Sequence, residues 1–425
     1  MSTKEQIADQ IRSGVLAYCG ERLDEPFNPA KPLVRLHEPT YGGDEVWAAL
    51  ETLLSTRVTM GAKVRAFEQA YADKFGFSDA VMVNSGSSAN LLAVAALVNP
   101  ACENGLKVGD EVIVPALSWS TTVWPLVQLG LVPVLVDHDP KTLNLDPAAV
   151  EAAIGPKTRA IKLVHVYGNP CDMDAIMDIA KRHNLQVIED SCESMGAYYK
   201  DKAVGSIGRV GTFSTYFSHH ITTLEGGFCV TNDPEFAELM RVLRAHGWTR
   251  ELKRPEKYLA QYPDIDRRFL FINSGFNLRA TETQAAMGLI QLPKLDGFIA
   301  TRSDNAAFFR ERLGKYAEHF DFVQVTPGAK SSWFGFPMTI KAGSPVTVKA
   351  LCAHLNADGV ETRPLIAGNM AEQPAMKLFA HRVAGDLPNA THVMRHGFTF
   401  GNHHAVCEAA REHIVSSVDR FMAKI

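Results

Sequence analysis

The sequence predicts an α/β protein, with a mostly parallel sheet covered by helices on both faces and a smaller α+β domain at its C-terminal end. Three observations predict it. From about residue 44, short β-branched runs alternate with helix-like segments. Small-residue turns and polar loops follow those runs directly. Beyond about residue 295 the glycine-rich loops thin out and the alternation changes character. Strand, helix and strand at this spacing give a parallel sheet buried on both faces.

Taken in order, Ser2 to Cys19 read as a short helix, with Ile7, Ile11, Val15 and Leu16 at helical spacing. A proline-containing stretch, Glu25 to Pro39, follows as an extended arm. The strand runs are Ala80–Val83, Glu111–Val114, Val132–Val136, Ala160–His165 and Gln186–Glu189. Asn90–Val98, Asp174–His183 and Thr281–Leu292 read as helices. The expected organisation is an N-terminal helix and arm (1–35), a large domain (36–295) and a small C-terminal domain (296–425).

Composition narrows the function. The chain has 425 residues, 46% of them hydrophobic, which is enough for one large core and a smaller one. Charged residues make up 21% and the formal net charge is −4, a balance that gives no general affinity for nucleic acid or an anionic membrane. No apolar run approaches the ~20 residues that cross a bilayer. The seven cysteines, Cys19, Cys102, Cys171, Cys192, Cys229, Cys352 and Cys407, contain no C-x-x-C or C-x-C pair. With no signal-peptide pattern at the start, they read as reduced thiols in a cytoplasmic protein.

Four segments at strand ends carry the chemistry, where ligand sites of such sheets lie. Asn84-Ser85-Gly86-Ser87-Ser88-Ala89-Asn90 joins a strand to a helix start and can cradle a phosphate on free N–H groups. Alone, it reads equally as a serine helix cap. Pro115-Ala116-Leu117-Ser118-Trp119-Ser120 places an aromatic ring after a strand, where it can stack on a planar ligand or simply fill the core. Ile188-Glu189-Asp190-Ser191-Cys192-Glu193-Ser194 offers a buried Asp able to pair with a ring nitrogen, or a turn residue. Gly211 to Phe228 contains Ser214, the pair His219-His220, and Leu224-Glu225-Gly226-Gly227. Paired histidines suggest metal, but zinc-type spacing is missing around them, so no metal site is expected.

Together these segments resemble the sugar aminotransferase family also named for the regulatory protein DegT, from about Leu36 to the C-terminus. Its members are pyridoxal-phosphate enzymes of fold type I, the aspartate-aminotransferase type. The matching pieces are Ser85-Gly86-Ser87, Trp119, Glu189-Asp190-Ser191-Cys192-Glu193, Ser214-(x)4-His219, Leu224-Glu225-Gly226-Gly227 and Gly275-Phe276-Asn277-Leu278-Arg279-Ala280-Thr281. The resemblance implies that Gly86, Ser87 and Ser214 hold the cofactor phosphate, with Asn277 from a partner subunit of a homodimer. It implies that Trp119 stacks on the ring and Asp190 pairs with the ring nitrogen. Glu193 replaces the family's Gln near the ring hydroxyl, where a carboxylate must be protonated or bridged. Arg250 and Arg279 are weak candidates for substrate anions. His220 is either a weak substrate contact or structural.

One departure decides the expected reaction: His219 stands where the family has the lysine that anchors the cofactor. Histidine forms no stable imine, yet serves as a base near neutral pH. The keto-sugar 3-dehydratase branch has this replacement. His219-His220-Ile221-Thr222, Trp333-Phe334-Gly335-Phe336-Pro337, Ala367-Gly368-Asn369 and the Pro374–Gly385 stretch are similar to it. The resemblance then implies non-covalently held pyridoxal or pyridoxamine phosphate, L-glutamate as amine donor, and a nucleotide-linked 4-keto-6-deoxy sugar losing its C3 hydroxyl with release of ammonia and 2-oxoglutarate. His219 would be the base. An iron–sulfur subgroup needs four cysteine thiolates. Its later cysteines would fall just after His246-Gly247-Trp248, where this chain reads Thr249-Arg250-Glu251-Leu252-Lys253-Arg254, so no cluster is expected. Two rivals stand beside this reading: an iron-dependent dehydrase that borrows a cluster from a partner, and, of another class, a silent regulator that binds pyridoxal phosphate or a sugar nucleotide, against which the intact motifs around His219 argue.

Overall fold

The computed structural model describes residues 3–23 and 27–425. Three helices come first: α1 (Thr3–Leu23), α2 (Gly43–Leu54) and α3 (Ala62–Phe75). Strand and helix then alternate through β1 (Asp79–Val83), α4 (Gly86–Val98), β2 (Glu111–Pro115), α5 (Ser120–Gln128) and β3 (Val132–Val136). The alternation continues with α6 (Pro147–Ala153), β4 (Thr158–Val164), α7 (Met173–His183) and β5 (Gln186–Asp190). A small hairpin of β6 (Tyr198–Tyr199) and β7 (Lys202–Ala203) leads to β8 (Val210–Ser214) and β9 (Gly227–Thr231). Four helices follow: α8 (Pro234–Arg244), α9 (Glu256–Gln261), α10 (Glu282–Gln291) and α11 (Leu295–Leu313). The rest is β10 (Phe320–Phe322), β11 (Ala329–Lys330), β12 (Phe336–Ile340), α12 (Val348–Ala357), β13 (Thr362–Pro364), β14 (Arg382–Val383), α13 (Pro388–His396), β15 (Gly397–Phe400) and α14 (Glu408–Met422).

Eight strands form one sheet in the order β1-β9-β8-β5-β4-β2-β3-β14. All neighbours from β8 to β14 are parallel, and β9 alone runs against both its neighbours. Two reversals cancel, so β1 points the same way as β8. The carboxyl ends of β1, β2, β5 and β8 therefore meet at one edge. This α/β architecture is the expected one, with the strand runs found within two residues of their predicted ends. Apolar residues cover both faces of the sheet, Val112 and Val114 in one cluster and Ile113 in another, which is why those strands read as unbroken hydrophobic runs.

A second, antiparallel sheet, β10-β12-β15-β13, packs with α11, α12 and α14 around Phe309, Phe336 and Phe400. β14 leaves this C-terminal region to join the edge of the large sheet beside β3. The N-terminal helix extends beyond its expected end at Cys19, to Leu23. Its expected first residue, Ser2, and the first two residues of the arm, Glu25 and Pro26, lie outside the described residues. The described part of the arm lies on its own chain: Val34 bridges Val360 and is buried in the small core.

Candidate active site

The site begins at the turn between β1 and α4. Ser85 is extended and caps the helix, its Oγ accepting from Ser88 N at 3.0 Å. Gly86 is required by closeness, since a Cβ there would sit 2.6 Å from Ser214 Cβ. Gly227 is as tight, with a Cβ falling 2.7 Å from Ser85 O. The two glycines let a helix N-terminus, the end of β8 and the start of β9 converge. Ser87 is exposed at this point and Ser214 buried, its Oγ accepting from Tyr216 N at 3.2 Å. Small side chains around a helix start fit a phosphate.

Asp190 closes β5, buried, on the side of the sheet covered by α4 and α5. Its Oδ2 accepts from Asn90 Nδ2 at 3.0 Å and Thr122 Oγ1 at 2.8 Å. Oδ1 accepts from Cys192 N at 3.3 Å. Asn90 lies one helical turn after Gly86 and itself accepts from Thr212 Oγ1 at 3.1 Å. The preceding Glu189 faces the other way, as strand periodicity requires. It accepts from Gly205, Ile207 and Gly208 N–H groups and lies 3.1 Å from His165 Nε2. Glu189 is thus saturated as a structural anchor for the loop before β8.

Glu193 follows on the same loop, partly buried, accepting from Tyr167 N at 2.9 Å. Burial pushes its carboxyl up to about 7, against the pull of the Tyr167 N–H; the Asp190 charge adds to the rise and Arg363 opposes it. Near neutrality it is therefore protonated in about half of the molecules and in that form able to donate a hydrogen bond. That answers the difficulty posed by a Glu where the resembling family has Gln.

The loop after β8 is closed on itself. Thr223 N donates to Thr215 O, Thr215 N donates to Gly226 O, and the two threonine hydroxyls meet at 2.6 Å. Within it His219 N donates to Tyr216 O at 2.9 Å. The imidazole lies 5.1 Å from the Phe334 ring and edge-on to Tyr216, and its Nδ1 is buried without a partner. Burial first, and the Arg302 charge, push it down to about 3, with Asp190 opposing and Arg363 reinforcing. It is neutral at physiological pH, the form a base needs, and the same burial makes it a weaker base than a free imidazole. His220 differs: it is fully buried, its Nε2 lies 3.0 Å from Ser332 O, and burial holds it well below the usual range. The geometry gives His220 the structural task, fastening the loop to the Ser331–Phe334 segment.

A cleft beside His219 is lined by Leu36, His37, Tyr167, Ser218, Arg302, Phe334 and Arg363. Arg302, from α11, is buried and donates to the carbonyls of Phe334, at 2.8 Å, and of Asn402; burial pulls it down to about 10. Arg302, Arg363, Asn90, Thr122 and Tyr167 join the site without being among the residues that the motifs single out. Asn90 closed a quoted motif, and its spacing from Gly86 was the available signal. Arg302 and Arg363 lie more than 80 residues from His219 in sequence and carried none.

The remaining candidates stand on the rim. Trp119, directly before α5, is 51% exposed. Arg250 is exposed, its guanidinium 5.9 Å from the centre of the Trp248 ring. Arg279 Nε donates to Asn277 Oδ1 at 3.0 Å, and Asn277 is exposed. Neither arginine shares a hydrogen bond or ion pair with His219, Asp190 or Glu193 among the described residues. Among those residues no helix is long and apolar enough to cross a membrane.

Comparison with known proteins agrees with this arrangement. Residues 39–419 match the model of the DegT/DnrJ/EryC1/StrS aminotransferase family. A GDP-4-keto-6-deoxy-D-mannose 3-dehydratase of Yersinia pseudotuberculosis is 42% identical over 373 residues, 87% of this chain and 93% of that protein. A solved GDP-4-keto-6-deoxymannose-3-dehydratase with a trapped PLP-glutamate geminal diamine superimposes with a TM-score of 0.83 at 38% identity, covering 90% of this chain and 99% of that one. The E. coli GDP-4-keto-6-deoxy-D-mannose-3-dehydratase with bound hydrated PLP does so with the same score and identity, over 92% and 100%. The chain belongs to the DegT/DnrJ/EryC1/StrS aminotransferase family.

Proposed function

We propose that this protein removes the C3 hydroxyl of a nucleotide-linked 4-keto-6-deoxyhexose, using pyridoxal or pyridoxamine phosphate held without a covalent bond and L-glutamate as amine donor. The observation that carries the reading is His219: a neutral imidazole, Nδ1 unpartnered, in the place of the family's lysine. The cofactor, when bound, supplies an electron sink next to the reacting sugar carbon. Gly86, Ser87 and Ser214 fit its phosphate, because the cradle is too tight for any side chain at Gly86. Trp119 would cover the ring, Asp190 would pair with the ring nitrogen, and Glu193, when protonated, would donate to the ring hydroxyl.

His219 takes up a proton on its imidazole and returns it as the C3 hydroxyl departs. With a lysine in its place, the donor's nitrogen would stay on the sugar as the lysine amine took over the cofactor, so replacing it steers the outcome toward dehydration. Arg302 and Arg363 give the cleft a positive field suited to a carboxylate or a diphosphate. Asn277 of a second copy completes the phosphate site, which makes the working unit a homodimer in the cytoplasm. Residues 36–295 carry most of the site, and 296–425 close it with Arg302, Phe334 and Arg363.

The test is incubation with pyridoxal phosphate, L-glutamate and GDP-4-keto-6-deoxymannose, read by mass spectrometry. The expected product is lighter by one oxygen atom, since water lost at C3 is offset by two hydrogens drawn from glutamate. One 2-oxoglutarate and one ammonia accompany it. A product carrying an amino group overturns the proposal.

A further inference from the structure

Lys162 lies on β4 with its side chain wholly buried. β4 and β5 run parallel in register, Lys162 opposite Ile188 and Val164 opposite Asp190. Lys162 and Asp190 therefore share one face of the sheet, a single side-chain row apart. Lys162 Nζ donates to the carbonyl of Thr122 at 2.9 Å, and the hydroxyl of the same Thr122 donates to Asp190 Oδ2 at 2.8 Å. One residue of α5 thus ties a buried ammonium to the carboxylate beneath the proposed cofactor ring.

An ammonium with no water is costly unless a charge faces it. Burial lowers Lys162 to about 8, and three groups oppose that fall: Asp190 most, then the thiols of Cys192 and Cys229. Burial pushes both thiols upward, Cys229 to about 12, so they stay neutral. The Asp190 carboxylate is left as the counter-charge. Lys162 is not a displaced anchor for the cofactor, because it lies on another strand from the His219 loop and its amine is spent on the Thr122 carbonyl.

We propose that Lys162 is a positioning residue that, through Thr122, shares the Asp190 carboxylate and so limits how firmly that carboxylate holds a proton on the cofactor's ring nitrogen. This rests on the reading in which pyridoxal phosphate binds above Asp190. A carboxylate divided between an ammonium and a pyridinium is a weaker partner to each. Releasing it from the lysine lets the ring keep its proton to higher pH.

The first arm uses the protein without added cofactor, with lysine labelled at Nζ, and follows the Lys162 ammonium by NMR against pH. In Asp190→Asn its midpoint should fall by about one pH unit or more; an unchanged midpoint overturns the coupling. The second arm uses Lys162→Met loaded with ring-nitrogen-labelled pyridoxal phosphate. The ring nitrogen should stay protonated to a pH about one unit higher than in the unsubstituted protein; an unchanged value overturns the proposal even if the first arm succeeds. Lys162→Arg, which keeps the charge, should restore the original ring titration. If titration of the unsubstituted protein with pyridoxal phosphate shows no saturable binding, the functional reading fails, and the first arm still decides whether Lys162 and Asp190 are coupled.

Discussion

Asp190, Glu193 and His219 are oriented by their own chain, whereas Trp119, Tyr216, Arg250 and Asn277 stand exposed around them. On the floor, each polar group is set by neighbours from distant segments: Asn90 and Thr122 on Asp190, Tyr167 on Glu193, Arg302 on His219. On the rim, the contacts are local, Arg250 over Trp248 and Arg279 to Asn277. The difference teaches that the floor's side chains are oriented before anything binds, while the rim's side chains keep only local contacts and stay open to solvent. Floor substitutions should therefore change chemistry, and rim substitutions should change affinity.

The largest expected effect separates the two regions most sharply. His219→Asn should lower the dehydration rate by about 10³-fold, the scale of a lost general base, with little change in melting temperature because Nδ1 has no internal partner to lose. A loss under tenfold would remove His219 from the floor's chemistry. Next, Thr122→Val deprives the Asp190 carboxylate of one donor, worth about 1 kcal/mol, or roughly fivefold in rate. It should act on kcat more than on KM; the reverse split would make Asp190 a binding group only.

Glu193→Gln sharpens the comparison through pH. The carboxyl lies above its ordinary 4.5, at about 7, so its contribution to stability is full below 4.5 and disappears as pH rises through 7. The Gln variant keeps an acceptor for Tyr167 N and lacks that titration. Its melting temperature relative to the unsubstituted protein should rise between pH 5 and pH 8; a flat difference would mean that Glu193 is ionised throughout. The smallest effect belongs to the rim. Arg250→Ala should raise KM about twofold to fivefold with kcat unchanged, and a collapse of kcat would move Arg250 into the chemistry.

Legibility followed the same division. The run Val132–Val136 was found at its expected ends, because a strand buried on both faces is an unbroken apolar stretch. α4 starts four residues before its expected Asn90, since Ser85 caps it and the intervening small residues have little helical signature of their own. The positions of Gly86 and Asp190 at strand ends, and of His219 in the loop after β8, were readable from the sequence motifs. The groups around them were not: the Arg302 charge acts on His219 from α11, and Lys162 sits in a strand run where its partner, the Thr122 carbonyl, depends on how α5 packs over β4. Phe334 lay in a quoted segment, yet its place beside both histidines is a property of the folded chain.

The most direct test of a histidine in the anchor's place is borohydride reduction of the protein loaded with pyridoxal phosphate, followed by peptide mapping. The expected result is no pyridoxyl group on any lysine, Lys162 included, with the cofactor released on denaturation as its reduced alcohol, pyridoxine phosphate. A pyridoxyl-lysine recovered in stoichiometric yield would contradict a non-covalently held cofactor and with it the role assigned to His219.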